Sequence, residues 1–288
     1  MTPIAKLWDL IKVLPLYLIP QHVLSRLVHL VTRCNRRYWK NLLIQVFIRV
    51  YRVDMSAARA ADFHSYKNFN DFFTRELREG IRPVIDDTAV ITCPVDGSIS
   101  RIGRIENTQI IQAKGRSFTL EELLAGDGTA EHFHGGCFAT LYLSPKDYHR
   151  IHMPADGGLL TMTCVPGRLY AVNPPSTRQI PRLFARNERV INLFFTDHGL
   201  MALVMVGALC VGSMDTVWAG TVTPVAPRKI STRNYGTGDV VLKKGQELGR
   251  FNMGSSVILL FEPGMMEWVP GLAEGNPILM GQPLGKWV

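Results

Sequence analysis

The chain has 288 residues, of which 19% are charged and 47% hydrophobic, enough to form one large domain or two modest ones. This composition excludes a disordered chain or a coiled coil over most of the length. The net charge of +8 lies entirely in residues 1–60, which contain ten Lys and Arg against two acidic residues. We therefore expect one localised contact with an anionic surface, and no nucleic-acid partner.

The five cysteines are scattered and form no C-x-x-C pair, which favours a reducing compartment over a disulfide framework. Charged residues such as Lys6 and Asp9 interrupt any N-terminal signal peptide. The longest uncharged stretch, 199–214, has 16 residues, too few for an ordinary spanning helix. We expect buried strands there and no transmembrane helix.

Residues 1–65 are predicted to form an N-terminal region of amphipathic helices. Apolar residues recur at helical spacing in 7–14 and 23–31, separated by Pro15 and Pro20, and the opposite face carries Gln21, Arg26 and Arg33. A basic amphipathic helix is typical of a membrane surface with anionic lipids. The alternative is an ordinary helix pair whose apolar stripe packs on the rest of the protein. The concentration of charge favours the membrane surface.

Residues 66–288 are predicted to form a mainly antiparallel β domain, which gives the chain an α+β class. A helix is expected over 66–79, capped near Asn68 or Asn70 and ended by Gly80. Thr119 and Glu122 form a capping-box pattern before a short helix. Strand-type runs separated by Gly and Pro occupy 89–91, 109–112, 137–143, 190–195 and 257–261.

Three places carry residues suited to chemistry. Asp96 lies in a glycine-containing segment, 94–98, where a hairpin turn is the simpler explanation. His149 and His152 follow a predicted strand, and either could be a structural histidine. Metal binding with His132, His134 and Cys137 is a further alternative, but the spacing matches no zinc motif, so we expect no metal.

The third place is Gly254-Ser255, which enters a predicted buried strand and could be a simple bulge. It could also supply a nucleophile, since Asp, His and Ser can form a catalytic triad in any chain order. No G-x-S-x-G pattern surrounds Ser255, so an α/β-hydrolase elbow is not supported.

Together these places resemble bacterial membrane-associated phosphatidylserine decarboxylases, enzymes that depend on a pyruvoyl group. The resemblance covers most of the chain, and its specificity comes from the order and spacing of the motifs. The matching segments are FFTREL (72–77), PVDG (94–97), YHRIHMP (148–154), NERV (187–190), VWAG (217–220), KGQELG (244–249) and MGSS (253–256). Many bacterial members have LGST where this chain has MGSS, a mild change.

The resemblance implies that the β domain, 66–288, is a sandwich-like or barrel-like catalytic domain. It also implies a proenzyme that cuts itself between Gly254 and Ser255, giving a β chain of 1–254 and an α chain of 255–288. Ser255 would attack the carbonyl of Gly254, with His152 removing its proton and Asp96 orienting the imidazole. A small Gly254, with a strained backbone, would ease the attack. Elimination and hydrolysis would then turn Ser255 into the pyruvoyl group, the only cofactor expected.

The resemblance further implies that phosphatidylserine binds the pyruvoyl carbonyl as an imine (a Schiff base) and loses carbon dioxide to become phosphatidylethanolamine. His149 would contact the substrate carboxylate or donate the proton. Arg150 and Arg168 are candidates for the headgroup. The expected assembly is a dimer of processed α/β units, held peripherally on the cytoplasmic face of the bacterial inner membrane.

Two other functions fit parts of the pattern. One is a membrane-surface serine hydrolase that uses Asp96, His152 and Ser255 without cutting itself. The other is a lipid-binding or tethering protein in which the basic helices act alone. Intact mass separates the first from a self-cleaving enzyme, because only the latter yields two fragments.

Overall fold

The computed structural model describes residues 3–126, 128–210, 213–224 and 228–288. Three long helices come first, and short helices interrupt the β-rich remainder. The helices are α1 (Pro3–Leu18), α2 (Gln21–Thr32), α3 (Arg37–Tyr51), α4 (Phe69–Phe73), α5 (Leu120–Leu124), α6 (Pro174–Gln179) and α7 (Leu183–Arg186).

The strands begin at residue 90 and continue to the last residues of the chain. They are β1 (Val90–Thr92), β2 (Gly97–Arg104), β3 (Gln109–Ala113), β4 (Arg116–Thr119), β5 (Cys137–Leu143), β6 (Arg150–His152), β7 (Gly157–Val165), β8 (Arg189–Thr196), β9 (Gly199–Val206), β10 (Met214–Thr216), β11 (Gly220–Thr221), β12 (Ser231–Asn234), β13 (Val241–Leu242), β14 (Glu247–Phe251), β15 (Ser255–Phe261), β16 (Met266–Trp268), β17 (Pro277–Ile278) and β18 (Pro283–Trp287).

The main sheet has the order β12-β7-β8-β9-β15-β5-β2-β17, with β13 also paired to β7, and every described pair in it is antiparallel. Strand β15 lies between β9 and β5 and is buried along its whole length. Its continuous apolar run, 257–261, is what a strand covered on both faces requires. The predicted α+β class with a mainly antiparallel β domain is confirmed.

A second sheet, with the order β11-β10-β14-β6, shares the hydrophobic core with the main sheet. Ile151 of β6, Met214 of β10 and Leu248 of β14 are fully buried in the same cluster as the central strands. The two sheets therefore bury apolar faces in common, as in a sandwich. This arrangement brings the segment around residue 150 close to the beginning of β15 through the pairing of β6 with β14.

Helix α1 is attached to the β domain by apolar and charged contacts. Val13 and Leu16 join the main hydrophobic cluster, and Asp9 forms an ion pair with Arg178 of α6 at 2.7 Å. A smaller cluster joins α3 to α4, and Met253 packs against both clusters. The residues just before Ser255 therefore lie at the junction of the helical region and the sheets.

Helix α2 has its polar face inside and its apolar face outside. Gln21, Ser25 and Thr32 are buried, whereas Leu27 and Leu30 are 55% and 69% exposed. The apolar stripe of α2 does not pack on the protein, so the alternative of an ordinary core-facing helix pair is wrong for α2.

None of the described helices is long and apolar enough to span a membrane.

The predicted strands are all present, and the stretch 199–214 contains β9 and the beginning of β10 as expected. The capping box of Thr119 and Glu122 is also confirmed. Pro15 does not end α1, because the helix continues to Leu18 around it. The helix expected over 66–79 is wrong beyond Phe73, since the backbone of the following segment bonds to Ala57 and Arg59 instead.

Candidate active site

Ser255 is the first residue of the central strand β15 and is completely buried. Strand pairing on both sides of β15 fixes the position of this residue. Ser255 is paired with Leu143 of β5, and the next residue, Ser256, is paired with Val206 of β9. The hydroxyl oxygens of Ser255 and Ser256 have no hydrogen-bond partner in the described part of the chain. Successive strand residues point to opposite faces, so only one of the two hydroxyls can serve any one site.

Gly254 connects β14 to β15 and is only half-buried. Its φ angle lies outside the left-handed region, and a Cβ added there would meet no atom within 4 Å. The expectation of a strained backbone at Gly254 is therefore wrong, because this conformation is open to any residue.

His149 has one free ring nitrogen in a fully buried position. Its Nδ1 lies 2.9 Å from the carbonyl oxygen of Asp147, and a carbonyl only accepts, so Nδ1 carries the proton. The lone pair is then on Nε2, which has no partner among the described residues. Burial lowers the pKa of His149 to about 3, so the ring is neutral and Nε2 is available as a base.

His152 has both ring nitrogens occupied. Its Nδ1 donates to the carbonyl oxygen of Gly245 at 2.7 Å, which leaves the lone pair on Nε2. The hydroxyl of Tyr148 lies 2.9 Å from Nε2 and donates to it, since burial raises the pKa of Tyr148 and keeps it protonated. Burial also lowers the pKa of His152, and the hydrogen bond to Gly245 and the charges of Glu247 and Asp96 oppose this shift only in part.

Asp96 does not orient the imidazole of His152 through a hydrogen bond, so that expected contact is wrong. The buried carboxylate is paired in a fork with Arg82, with Oδ1 3.0 Å from Nε and Oδ2 2.6 Å from Nη2. Oδ1 also accepts the backbone N–H of Met280. Its described hydrogen bonds thus go to Arg82 and Met280, and Asp96 acts on His152 through its charge.

The segment of Asp96 is not a hairpin turn either. Gly97 begins β2, and a Cβ on it would clash with the carbonyl of Tyr142 in the neighbouring strand β5. Glycine is therefore required for the close approach of the two backbones. The approach places Asp96 at the same end of the sheet as the first residue of β15.

A cavity of about 580 Å³ adjoins Asp96 and Tyr148 and contains a residue that sequence reasoning missed. Arg75 is only 4% exposed, and its Nε and Nη1 have no partner among the described residues. Its Nη2 donates to the carbonyl of Lys146, and burial lowers its pKa. The motif FFTREL contained this residue, but nothing in the spacing indicated a buried charge.

The two headgroup candidates differ in their surroundings. Arg150 donates to Thr74 and forms ion pairs with Glu76 and Glu247, so its guanidinium is not free to bind a phosphate. Arg168 is exposed, and its guanidinium makes no ion pair or hydrogen bond with the described residues.

The histidines considered for metal binding do not come together. His132 lies 3.4 Å from Glu262, and His134 lies 3.4 Å from Glu121. Among the described residues no group of three or more His, Cys, Asp or Glu side chains could hold a metal ion.

Comparison with known proteins identifies family models and relatives that match most of the chain. The family model described as phosphatidylserine decarboxylase matches residues 69–286, and a second one, described as PSD, matches 11–52. This chain belongs to the phosphatidylserine decarboxylase family.

Relatives named phosphatidylserine decarboxylase proenzyme match nearly the whole chain. One from Ectopseudomonas mendocina is 50% identical over 278 residues, covering 95% of this chain and 97% of the relative. Others from Methylococcus capsulatus and Hahella chejuensis are 48% and 47% identical, covering 94% and 97% of this chain and 94% and 95% of the relatives. The similarity to this family thus extends over the helical region as well as the β domain.

Proposed function

We propose that this protein is a self-processing phosphatidylserine decarboxylase that converts phosphatidylserine to phosphatidylethanolamine and carbon dioxide. The family match supports the reaction. The assignment of this reaction to residues rests on the hydroxyl of Ser255, which is buried and has no partner among the described residues. Ser255 directly follows Gly254 at the beginning of the central strand. A buried hydroxyl without a hydrogen-bond partner lowers the stability of the fold, and a catalytic role explains why it is kept.

Self-cleavage proceeds on the chain's own atoms. Ser255 Oγ bonds to the carbonyl carbon of Gly254, its proton passes to a base, and the peptide C–N bond breaks to leave an ester and a protonated amine. Removal of the Cα proton of Ser255 then breaks the Cβ–Oγ bond and releases the 1–254 chain as a carboxylate. The new terminus takes up water and loses ammonia, which leaves a ketone.

Two histidines can serve as the base, the buried His149 and the half-buried His152, and their hydrogen bonds distinguish them. We assign the first proton transfer to His152, which must give up the hydroxyl of Tyr148 from its Nε2 before it can accept. Asp96 assists by its negative charge, which favours the protonated form of the ring. His149 has a free Nε2 in the uncut chain, and we assign it to proton transfer during decarboxylation.

The position of Ser255 suits a covalently held pyruvoyl group. The hydroxyl to be removed forms no hydrogen bond with the described residues, so its loss breaks no contact. When present, the pyruvoyl carbonyl supplies an electron sink for loss of carbon dioxide. The neighbouring strands would hold the group, and the full burial of residue 255 would exclude water from it.

We further propose that the protein acts peripherally at the cytoplasmic face of the bacterial inner membrane. Most of the large exposed hydrophobic side chains of the described residues belong to α1, α2 and α3, and the excess positive charge lies in the same region. Such a surface suits anionic lipid headgroups with apolar side chains below them. All five cysteines are unpaired, which suits a reducing compartment.

The experiment that tests self-processing compares two neighbouring serines. We expect Ser255→Ala to give one full-length, inactive species and Ser256→Ala to give two fragments, because only Ser255 adjoins the Gly254 carbonyl. Intact mass under denaturing conditions measures both. Ser256 is the matched control, since it is equally buried and its hydroxyl is equally unpartnered.

Two outcomes would contradict the proposal. A wild-type chain that stays full-length and turns over lipid esters would indicate the serine hydrolase instead. A full-length wild type without turnover would leave only a lipid-binding role. Light scattering of the processed protein tests the expected dimer of α/β units.

A further inference from the structure

A recess rich in arginine lies outside the candidate active site. It has a volume of about 510 Å³ and is lined by His22, Gly167, Arg168, Arg186 and Arg228, which we call the arginine recess. The fold brings these residues together from α2, from the segment after β7, from the end of α7 and from residue 228. Apart from Arg168, which is a headgroup candidate from the sequence, none of them has a role in the proposed reaction.

The arginine recess carries a positive charge that no ion pair among the described residues neutralises. None of its three arginines forms an ion pair with a carboxylate of the described residues, although many other arginines of the chain do. Arg186 stacks on the ring of Tyr170 and donates to its hydroxyl, and Arg228 donates to the carbonyl of Gly167. These neutral partners position the guanidinium groups and leave their charge uncompensated.

The pKa of His22 is lowered by its position in this recess. Its Nε2 lies 3.1 Å from the carbonyl oxygen of Gly167 and 3.0 Å from Arg228 Nη2. Burial, Arg228 and Arg168 together lower its pKa, so the ring is neutral and the charge of the recess comes from the arginines. Guanidinium groups gathered in this way form a site for an anion such as a phosphate.

The arginine recess adjoins the part of the molecule that suits a bilayer. His22 is in the first turn of α2, the helix that exposes Leu27 and Leu30 along its length. The N-terminus of α2 has no side-chain cap, so its partial positive charge adds to that of the arginines. A phosphate held here would therefore lie at the level where α2 meets lipid, which favours a lipid phosphate over a free one.

The recess is separate from the bond that is cut. Ser256 is paired with Val206, which is paired with Arg189 at the beginning of β8, so two strand spacings, about 10 Å, already separate β15 from β8. Arg186 comes before β8 begins, and Arg168 is bridged to Asn187 in the same segment, so both lie outside the strand.

We propose that the arginine recess binds the phosphate of one anionic phospholipid of the surrounding bilayer, at a site distinct from that of the substrate. The inference rests on the membrane association proposed above. Binding there would add a lipid-specific contact to the general attraction of the basic N-terminal helices. It would also fix the orientation of the β domain against the bilayer, because Arg168 and Arg186 belong to that domain.

The test compares two double charge reversals in the full-length protein. Arg168→Glu with Arg228→Glu alters the recess, and Arg104→Glu with Lys114→Glu makes the same change in net charge at exposed positions elsewhere. The probes are vesicles of phosphatidylcholine with and without phosphatidylglycerol. We expect the recess variant to lose about fivefold per arginine in affinity for the anionic vesicles, and the control to lose much less.

Three outcomes would overturn the proposal. Equal losses in both variants would mean that diffuse charge explains the binding. Tight binding of inorganic phosphate to the wild type, with vesicle binding unaffected by the reversals, would make the recess a site for the free ion. A raised KM for soluble short-chain phosphatidylserine in the recess variant alone would place the substrate there. Self-cleavage, read by intact mass, stays unchanged in both variants, and its absence in the wild type would count against the proposed function instead.

Discussion

At the scale of single residues, the two histidines of the motif YHRIHMP have opposite environments. His149 is buried with its Nε2 free, whereas Tyr148 occupies the Nε2 of His152. The two histidines are three residues apart in sequence, yet their rings have different hydrogen-bond partners. The hydroxyl of Tyr148 must therefore leave His152 Nε2 before His152 can accept the proton of Ser255.

We predict that Tyr148→Phe accelerates self-cleavage by about fivefold, the equivalent of one hydrogen bond of about 1 kcal/mol that no longer competes for His152 Nε2. The time course of fragment formation in freshly synthesised protein measures the rate. His152→Ala should abolish cleavage in the same assay. An unchanged rate in Tyr148→Phe would assign the base to His149, and a slower rate would make Tyr148 a positioning residue.

At the scale of secondary-structure elements, α2 is held by polar contacts and not by apolar burial. Gln21 donates to the carbonyl of Leu16 at the end of α1 and accepts the backbone N–H of Leu169. The single side chain thus joins both helices to the β domain. Helix α2 can keep its position while its apolar face remains available to lipid.

Gln21→Ala is expected to lower the free energy of unfolding by about 1–3 kcal/mol, because it leaves a buried N–H and a buried carbonyl without partners. Leu27→Ala is the matched control on the exposed face and should change stability by less than about 0.5 kcal/mol. Urea unfolding of both variants, made in the uncut Ser255→Ala chain, measures the difference. Equal stability of the two variants would show that Gln21 does not hold α2.

The elements that were predictable from sequence are those whose cause is local. The run 257–261 had to be a buried strand, and Thr119 with Glu122 had to begin a helix. The end of α4 was not predictable, because the segment after Phe73 is fixed by backbone bonds to residues 57 and 59. The pairing of Asp96 with Arg82 is also a tertiary contact that no spacing encodes.

At the scale of the whole molecule, the proposed α chain, 255–288, is distributed through the sheets. Its first strand is the centre of the main sheet, β17 extends that sheet through β2, and β18 joins β1 to β16. The site residues were identifiable by resemblance, but their partners were not, because side-chain hydrogen bonds depend on this long-range assembly.

We expect the two chains to remain together after cleavage, since β15 has a ladder on each side and is buried along its length. Gel filtration in native buffer should give one peak that contains both fragments, and denaturant should separate them. Release of the 34-residue fragment in native buffer would contradict the pairing described for β15.

The proposed cut falls in the connection between β14, which ends at Phe251, and β15, which begins at Ser255. The cut adjoins the first position of β15, and the ladder positions from Ser256 onward keep their partners in β5 and β9, so the folded body stays whole. The covalent link between the two pieces is then needed for assembly and for the first chemical step, and not for the finished architecture. The same location leaves the new carboxyl terminus at Gly254 outside the described strands, so it can move away from the beginning of β15.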